Sequence, residues 1–289
     1  MLVEKITSRQ NPLVKRFRRL RNGAERNLML IEGVKMMEEA LAAGAHFESI
    51  AFTSDLELTE RGLVLQDELQ RVPCRGALLS QQVMDYISDT ETPQGVAAMV
   101  SRPNFTIGDV FAAPSQLIVI ADGIQDPGNV GTIMRTAEAA GSSGLVALPG
   151  TASPFGSKAV RASMGSVLRL PVAAGPSREE LISMARERKV ALVVASPERF
   201  LPVDASAKTR PYTEADYRSP TGLIFGSEGS GVSEELASEA SVLVHIPMAS
   251  GVESLNVATA ASIVLYEVAR QRGFSFGRPE TGGRKSRRK

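Results

Sequence analysis

Six apolar runs in the second half of the chain set the tightest limit on its fold. They are "LIVIAD" (117–122), "GLVALPG" (144–150), "LRLPVA" (168–173), "VALVVAS" (190–196), "GLIFGSE" (222–228) and "SVLVHIP" (241–247). Most are continuously apolar rather than alternating, so both faces of each strand need cover. Helix-like segments at 129–140, 157–165, 178–189, 233–239 and 254–272 supply it. Strands alternating with amphipathic helices predict an α/β fold, a mostly parallel sheet covered on both faces.

The first hundred residues read as a smaller α/β unit. "NPLVKRFRRLR", "KMMEEALAAG" and "ERGLVLQDELQR" have helical spacing, the second stopped by Gly44. "LMLIEG", "ESIAFTS", "RGALLS" and "GVAAMV" read as strands. The turn-forming stretch "SRPNFTIGDVFAAPSQ" is the linker candidate. The expected organisation is therefore a domain at 1–103, a linker at 104–116, a second domain at 117–273 and a polar tail at 274–289.

Charge is distributed unevenly under a net value of only +1. Residues 1–30 hold eight Lys or Arg against Glu4 and Glu25, and residues 278–289 hold six against Glu280. Basic ends on an acidic body point to a polyanionic partner, because each neutralised phosphate releases counterions. The same ends would also serve as solubilising segments. In residues 15–21, "KRFRRLR", the cations form an outer face while Leu13, Phe17 and Leu20 share the inner one.

No run of eighteen apolar residues occurs, so no membrane span is expected. The N-terminal stretch lacks the apolar core of a secretory signal, which implies a cytoplasmic protein. Cys74 is the single cysteine and His46 and His245 the only histidines, so neither a disulfide framework nor a zinc site is expected.

Ligands of open α/β sheets bind beyond the carboxyl ends of the strands, and three strand ends here are rich in glycine and polar residues. The first, "ADGIQDPGNVGTIMRTAEAAG" (121–141), offers Asn129 as a helix cap and Arg135 nearly two turns later, expected to be partly buried. The second, "FGSEGSGVSEEL" (225–236), has three glycines in six residues, which lets backbone N–H groups approach a ligand. Glu228 lies inside it and can orient Arg135, while Ser233 can cap the next helix. The third, "HIPMASGVESLNVATAASIVLYEV", opens an apolar helix with Ser254 or Asn256 as its cap.

Familiar nucleotide motifs fail at these places. Gly123 and Gly128 are followed by Asn129 where a phosphate-binding loop needs lysine, and no G-x-G-x-x-G follows 117–122. His245 falls within a strand pattern, which disfavours Ser/His/Asp hydrolysis.

Taken together, the three stretches resemble motifs 1, 2 and 3 of the SpoU/TrmH branch of SPOUT RNA methyltransferases. "ITSRQNPLVKRFRRL", "LIEGVKMMEEAL" and "TPQGVAAMV" are similar to the substrate-binding domain, related to a ribosomal protein fold, that precedes the catalytic domain in many members. The resemblance implies methyl transfer from S-adenosylmethionine to a ribose 2′-hydroxyl of RNA, a trefoil knot in the C-terminal domain and a homodimer. By the family's pattern, Gly226, Ile246 and Leu255 line the cofactor pocket. Asn129, Arg135, Glu228, Ser254 and Asn256 match the polar positions around the acceptor.

The resemblance also offers Arg135 as a base. Guanidinium groups keep their proton in proteins, so the expected role is to hold the adjacent phosphate and stabilise oxyanion character, oriented by Glu228 and Asn129. The N-terminal domain favours ribosomal RNA, with 23S RNA expected. Transfer RNA is the alternative substrate, and a non-catalytic RNA-binding module is the alternative from another class.

Overall fold

The computed structural model describes residues 2–21, 25–113, 116–197, 209–250 and 252–274. The tail at 278–289 lies outside the described residues.

The N-terminal sheet contains β1 (Leu2–Ile6), β2 (Leu28–Glu32), β3 (Phe47–Phe52), β4 (Arg75–Leu79) and β5 (Val96–Ser101), in the order β1-β4-β3-β5-β2. β1 and β3 run parallel to β4, whereas β5 is antiparallel to β2 and β3. The helices are α1 (Pro12–Arg21), α2 (Val34–Ala42), α3 (Glu60–Gln70) and α4 (Gln81–Ile87). Side chains alternate between two cores, as strand geometry requires. Leu28 and Leu30 join Phe17 and Met84 under α1 and α4, while Met29 and Ile31 join Met37 and Leu65 under α2 and α3. β1 and α4 were not among the elements expected from the sequence.

The described residues of 104–116 hold no strand, but part of the stretch is packed. Helix α5 (Ile107–Val110) carries a capping box between Thr106 and Asp109, and Val110 and Phe111 are fully buried against the second sheet.

That sheet has seven strands: β6 (Leu117–Asp122), β7 (Gly144–Ala147), β8 (Val172–Ala174), β9 (Ala191–Ala195), β10 (Thr209–Pro211), β11 (Thr221–Gly226) and β12 (Val242–His245). Their order is β10-β12-β9-β11-β6-β7-β8, and every pairing among the described strands is parallel. The helices α6 (Pro127–Ala139), α7 (Ser157–Ser163), α8 (Ser166–Arg169), α9 (Arg178–Arg188), α10 (Glu234–Glu239) and α11 (Val257–Gln271) cover it. Val119, Leu223 and Phe225 point to the α6, α7 and α11 side; Ile118, Ile224 and Leu192 point to the α9 and α10 side.

Two expected elements need correction. The run 168–173 is not one strand: Leu168 and Arg169 end α8, and β8 begins after Pro171, which breaks the helix. The last helix starts at Val257 rather than at 254.

Helix α7 joins the two halves. Asp89 of the N-terminal domain accepts from Ser157 Oγ at 2.8 Å and pairs with Arg21 at 2.8 Å and Arg161 at 3.6 Å. Arg169 bridges Glu39 and Glu138, and Arg102 lies 5.4 Å over the Phe155 ring.

On its other side α7 presses its backbone against α6. A Cβ at Gly131 would stand 2.3 Å from the Ala159 carbonyl oxygen and 2.6 Å from Ala162 Cβ. Gly131→Ala should therefore destabilise by about 1–3 kcal/mol, outweighing the helix propensity that alanine adds. Thermal unfolding checks it, with Gly108→Ala as the control, where a Cβ meets only Thr106 Oγ1 at 3.5 Å.

Candidate active site

The carboxyl ends of β9, β11 and β12 open onto a cavity of about 680 Å³. Ser196 and Pro197 form one wall, Gly226 and Glu228 a second, and Ile246, Ser254, Leu255 and Asn256 a third. All three residues expected around the cofactor, Gly226, Ile246 and Leu255, line it. The Ser196 wall was not anticipated, although it is the end of an apolar strand like the others.

The loop after β11 folds back on itself. Ser227 and Gly231 exchange backbone hydrogen bonds of 2.9 and 3.0 Å, and Ser230 N donates to Ser227 Oγ at 3.1 Å. This hairpin passes directly over the strand end. A Cβ at Gly226 would lie 2.2–2.3 Å from the Gly231 carbonyl and Val232 N, so only glycine fits.

Beneath the loop sits a residue that sequence reasoning missed. Asp122, the last residue of β6, is only 3% exposed. Its carboxylate accepts from Arg178 Nη2 at 2.6 Å and Nε at 3.1 Å, and from Ser233 N at 2.9 Å. It thus ties the start of α9 and the end of the glycine-rich loop to the central strands. An acid ending a wholly apolar strand was the available signal. Ser233 precedes α10 but makes no side-chain cap there; its own N–H is held by Asp122 instead.

The polar side chains converge as a directed chain. Asn256 Oδ1 accepts from Ala258 N at 2.9 Å and Thr259 N at 3.3 Å, which makes it the cap of α11 rather than Ser254. Its carbonyl being committed, its amide can only donate, and Nδ2 reaches Asn129 Oδ1 at 3.0 Å. Asn129 is then left with its own Nδ2, which donates to Glu228 Oε1 at 2.7 Å. Three segments far apart in sequence are locked by two amides with one permitted orientation each.

Helix α6 is capped by Asp126, not by Asn129. Asp126 Oδ1 accepts from Gly128 N and Asn129 N, and Pro127 occupies the first helical position. Lys158 on α7 holds the other oxygen at 3.0 Å. Lys158 first, then the amides, keep the Asp126 carboxyl below the ordinary aspartate range. Asn129 is freed from capping because the helix already has a cap.

Arg135 is not brought to this cluster within one chain. It is exposed and makes no hydrogen bond or ion pair with another described residue. Six residues along a helix amount to about 9 Å of rise and 240° of rotation, which places it on another face from Asn129. Glu228 is engaged by Asn129, so the expected orientation of Arg135 by that pair does not occur inside the protomer.

Residues 116–266 match the SpoU rRNA Methylase family, and residues 11–98 match the MRM3-like substrate binding domain. The chain belongs to the SpoU rRNA methylase family. It is 32% identical to a 23S rRNA (guanosine(2553)-2′-O)-methyltransferase of Bacillus subtilis, over 92% of this chain and 99% of that one. It is 30% identical to a 23S rRNA (uridine(2479)-2′-O)-methyltransferase of Streptomyces viridochromogenes, over 84% and 83%. Among solved structures, the AdoMet-bound rRNA methyltransferase of Sinorhizobium meliloti superimposes with a TM-score of 0.79 at 31% identity, covering 93% of this chain and 98% of that one. The AdoMet complex of AviRb from Streptomyces viridochromogenes gives 0.80 at 26%, covering 91% and 98%.

Among the described residues no group of three His, Cys, Asp or Glu could hold a metal ion, and no helix is long and apolar enough to cross a membrane. Asp122→Ala in this methylase should cost on the order of 3 kcal/mol, because Arg178 and the Ser233 amide lose their acceptor. Chemical denaturation measures that, and unchanged stability would remove Asp122 from the support of the loop.

Proposed function

We propose that this chain transfers the methyl group of S-adenosylmethionine to a ribose 2′-hydroxyl of 23S ribosomal RNA. The observation that carries the reading is the bonded trio of Asn129, Glu228 and Asn256 at the rim of a mainly apolar cavity. The cavity fits the cofactor: its volume suits a nucleoside-sized ligand, and Gly226 leaves the strand end bare where backbone groups would meet it. The bound cofactor supplies a methyl group on a sulfonium. The relatives named for 2′-O-methylation of 23S RNA, each matched over most of both chains, support the substrate class.

The protein's own contribution is placement. The cap of α11 fixes Asn256, which fixes Asn129 and through it Glu228, so that the hydroxyl of an incoming ribose meets preset polar partners. Ser254, half-buried in the cavity wall, adds a hydroxyl beside them. Arg135 neutralises the adjacent phosphate and stabilises negative charge developing on the ribose oxygen.

That role requires a second protomer. Arg135 shares an exposed face with Thr132 of α6; α11 packs beside α6, with Thr136 and Ser262 hydroxyls 3.2 Å apart, and Tyr266, one turn beyond Ser262, is 48% exposed. We read this face as the homodimer contact, each Arg135 serving the partner's reaction centre. A trefoil knot formed where the segment 246–256 returns past the 226–231 loop agrees with both segments lining one cavity. Cytoplasmic action follows from the ribosomal substrate.

Tritium-labelled S-adenosylmethionine and an unmodified 23S transcript test the reaction. Label should appear in linkages resistant to alkali, since cleavage needs a free 2′-hydroxyl. Labelling confined to bases would overturn the proposal. Arg135→Ala should lose activity about 10²-fold or more with cofactor affinity unchanged. Mixing Arg135→Ala with Asn256→Ala protein should restore turnover, as a mixed dimer rebuilds one intact site; no restoration means that Arg135 acts within its own chain.

A further inference from the structure

A second cavity, of about 280 Å³, opens at the seam between the two domains. Its walls come from the turn joining β2 to α2, from the segment joining α4 to β5, and from the end of α7. Nothing in the catalytic reading uses it.

The cavity has apolar sides and a polar edge. Met36 and Pro93 from the N-terminal domain and Met164 from the catalytic domain supply the apolar surface. At the edge, the Glu32 carboxylate is held rigidly by Ser88 Oγ at 2.6 Å and by Asp89 N at 3.0 and 3.1 Å. Oε2 takes two of those bonds, while Oε1 takes one and keeps acceptor capacity. Burial pushes this carboxyl above the ordinary glutamate range, while Ser88 and the Asp89 amide favour its charged form. Gln94 Oε1 accepts from Val34 N at 2.9 Å, which turns the amide NH₂ of Gln94 outward as a donor. The turn stays tight because Gly33 has φ +88°, and a Cβ there would stand 2.8 Å from Gln94 Oε1.

Two cations flank this edge. Lys35 is exposed, and Arg161 has only a loose 3.6 Å contact with Asp89. A slot with methionine and proline sides, a fixed acceptor, an adjacent donor and cations at the edge can hold an unstacked RNA base by hydrogen bonds to its edge and charge contacts to its phosphate. The slot also adjoins the reaction centre's support. Arg161 lies one turn along α7 from Lys158, which holds the Asp126 cap of α6.

We infer that this seam cavity receives one splayed-out base of the RNA substrate, distinct from the nucleotide that is methylated. Glu32 accepts from the base's amino or ring N–H hydrogens, and Lys35 with Arg161 holds its phosphate. The inference rests on the RNA methyltransferase reading, and it gives the N-terminal domain a means of setting the distance between a recognised base and the target ribose.

The test is equilibrium binding of an unmodified 23S transcript to the full-length protein. Thr92 is exposed on the rim, so Thr92→Trp blocks the slot without disturbing either core. It should weaken RNA binding about tenfold, the scale of one lost hydrogen bond to a charged group, while S-adenosylmethionine affinity and melting temperature stay as in the wild type. Lys35→Ala should reduce the salt dependence of binding by about one phosphate contact. Photocrosslinking of a 4-thiouridine transcript should label peptides around residues 32–36 or 88–96. Wild-type RNA affinity in Thr92→Trp, or crosslinks only outside those peptides, would overturn the inference. If the wild type binds the transcript at this slot without methylating it, the catalytic reading fails and the slot stands.

Discussion

Everything in the polar cluster at the cavity rim depends on the carbonyl of Asn256 being committed to the first amides of α11. Once that acceptor is fixed, the direction of the next two hydrogen bonds follows, from Asn256 to Asn129 and from Asn129 to Glu228. An amide has one donor end and one acceptor end, so neither asparagine can turn over without losing both bonds. A carboxylate at either position would bring two acceptors face to face. The helix cap therefore does more than end a helix: it sets the orientation of polar groups contributed by three strand ends.

A second layer keeps those groups in register. Asp122 fastens the glycine-rich loop that carries Glu228, and the pair of Asp126 and Lys158 fastens the start of the helix that carries Asn129. Lys158 belongs to α7, whose Ser157 and Arg161 hold Asp89 of the N-terminal domain. The placement of the substrate-binding domain and the placement of Asn129 thus share one short helix. Because Gly131 lets α6 and α7 touch through backbone, there is little slack between them.

Arg135 marks the limit of the single protomer. A guanidinium exposed on a helix face, away from the cluster its neighbours form, has no partner there that would position it. In the proposed dimer that exposed position is what would let it serve a site shared between protomers. The seam cavity adds a complementary feature on the RNA side, where both domains must be present for the slot to exist.

The sequence by itself determined the parallel α/β class, the separate N-terminal unit, and the three glycine-bearing strand ends with their family likeness. These are local or periodic signals: apolar runs, helix stops, and residues needed at a close backbone approach. Through that likeness it assigned Gly226, Ile246 and Leu255 to the cofactor pocket, which line the cavity, and grouped Asn129, Arg135, Glu228, Ser254 and Asn256, of which Asn129, Glu228 and Asn256 are bonded to one another. Only the tertiary structure decided that Asp126 rather than Asn129 caps α6, that Arg135 is exposed, and that Asp122 braces the loop. The strand β1, the helix α4 and the break at Pro171 within 168–173 likewise emerged only in the structure. Caps, braces and exposure depend on which distant atom lies within 3 Å, and no spacing along the chain records that.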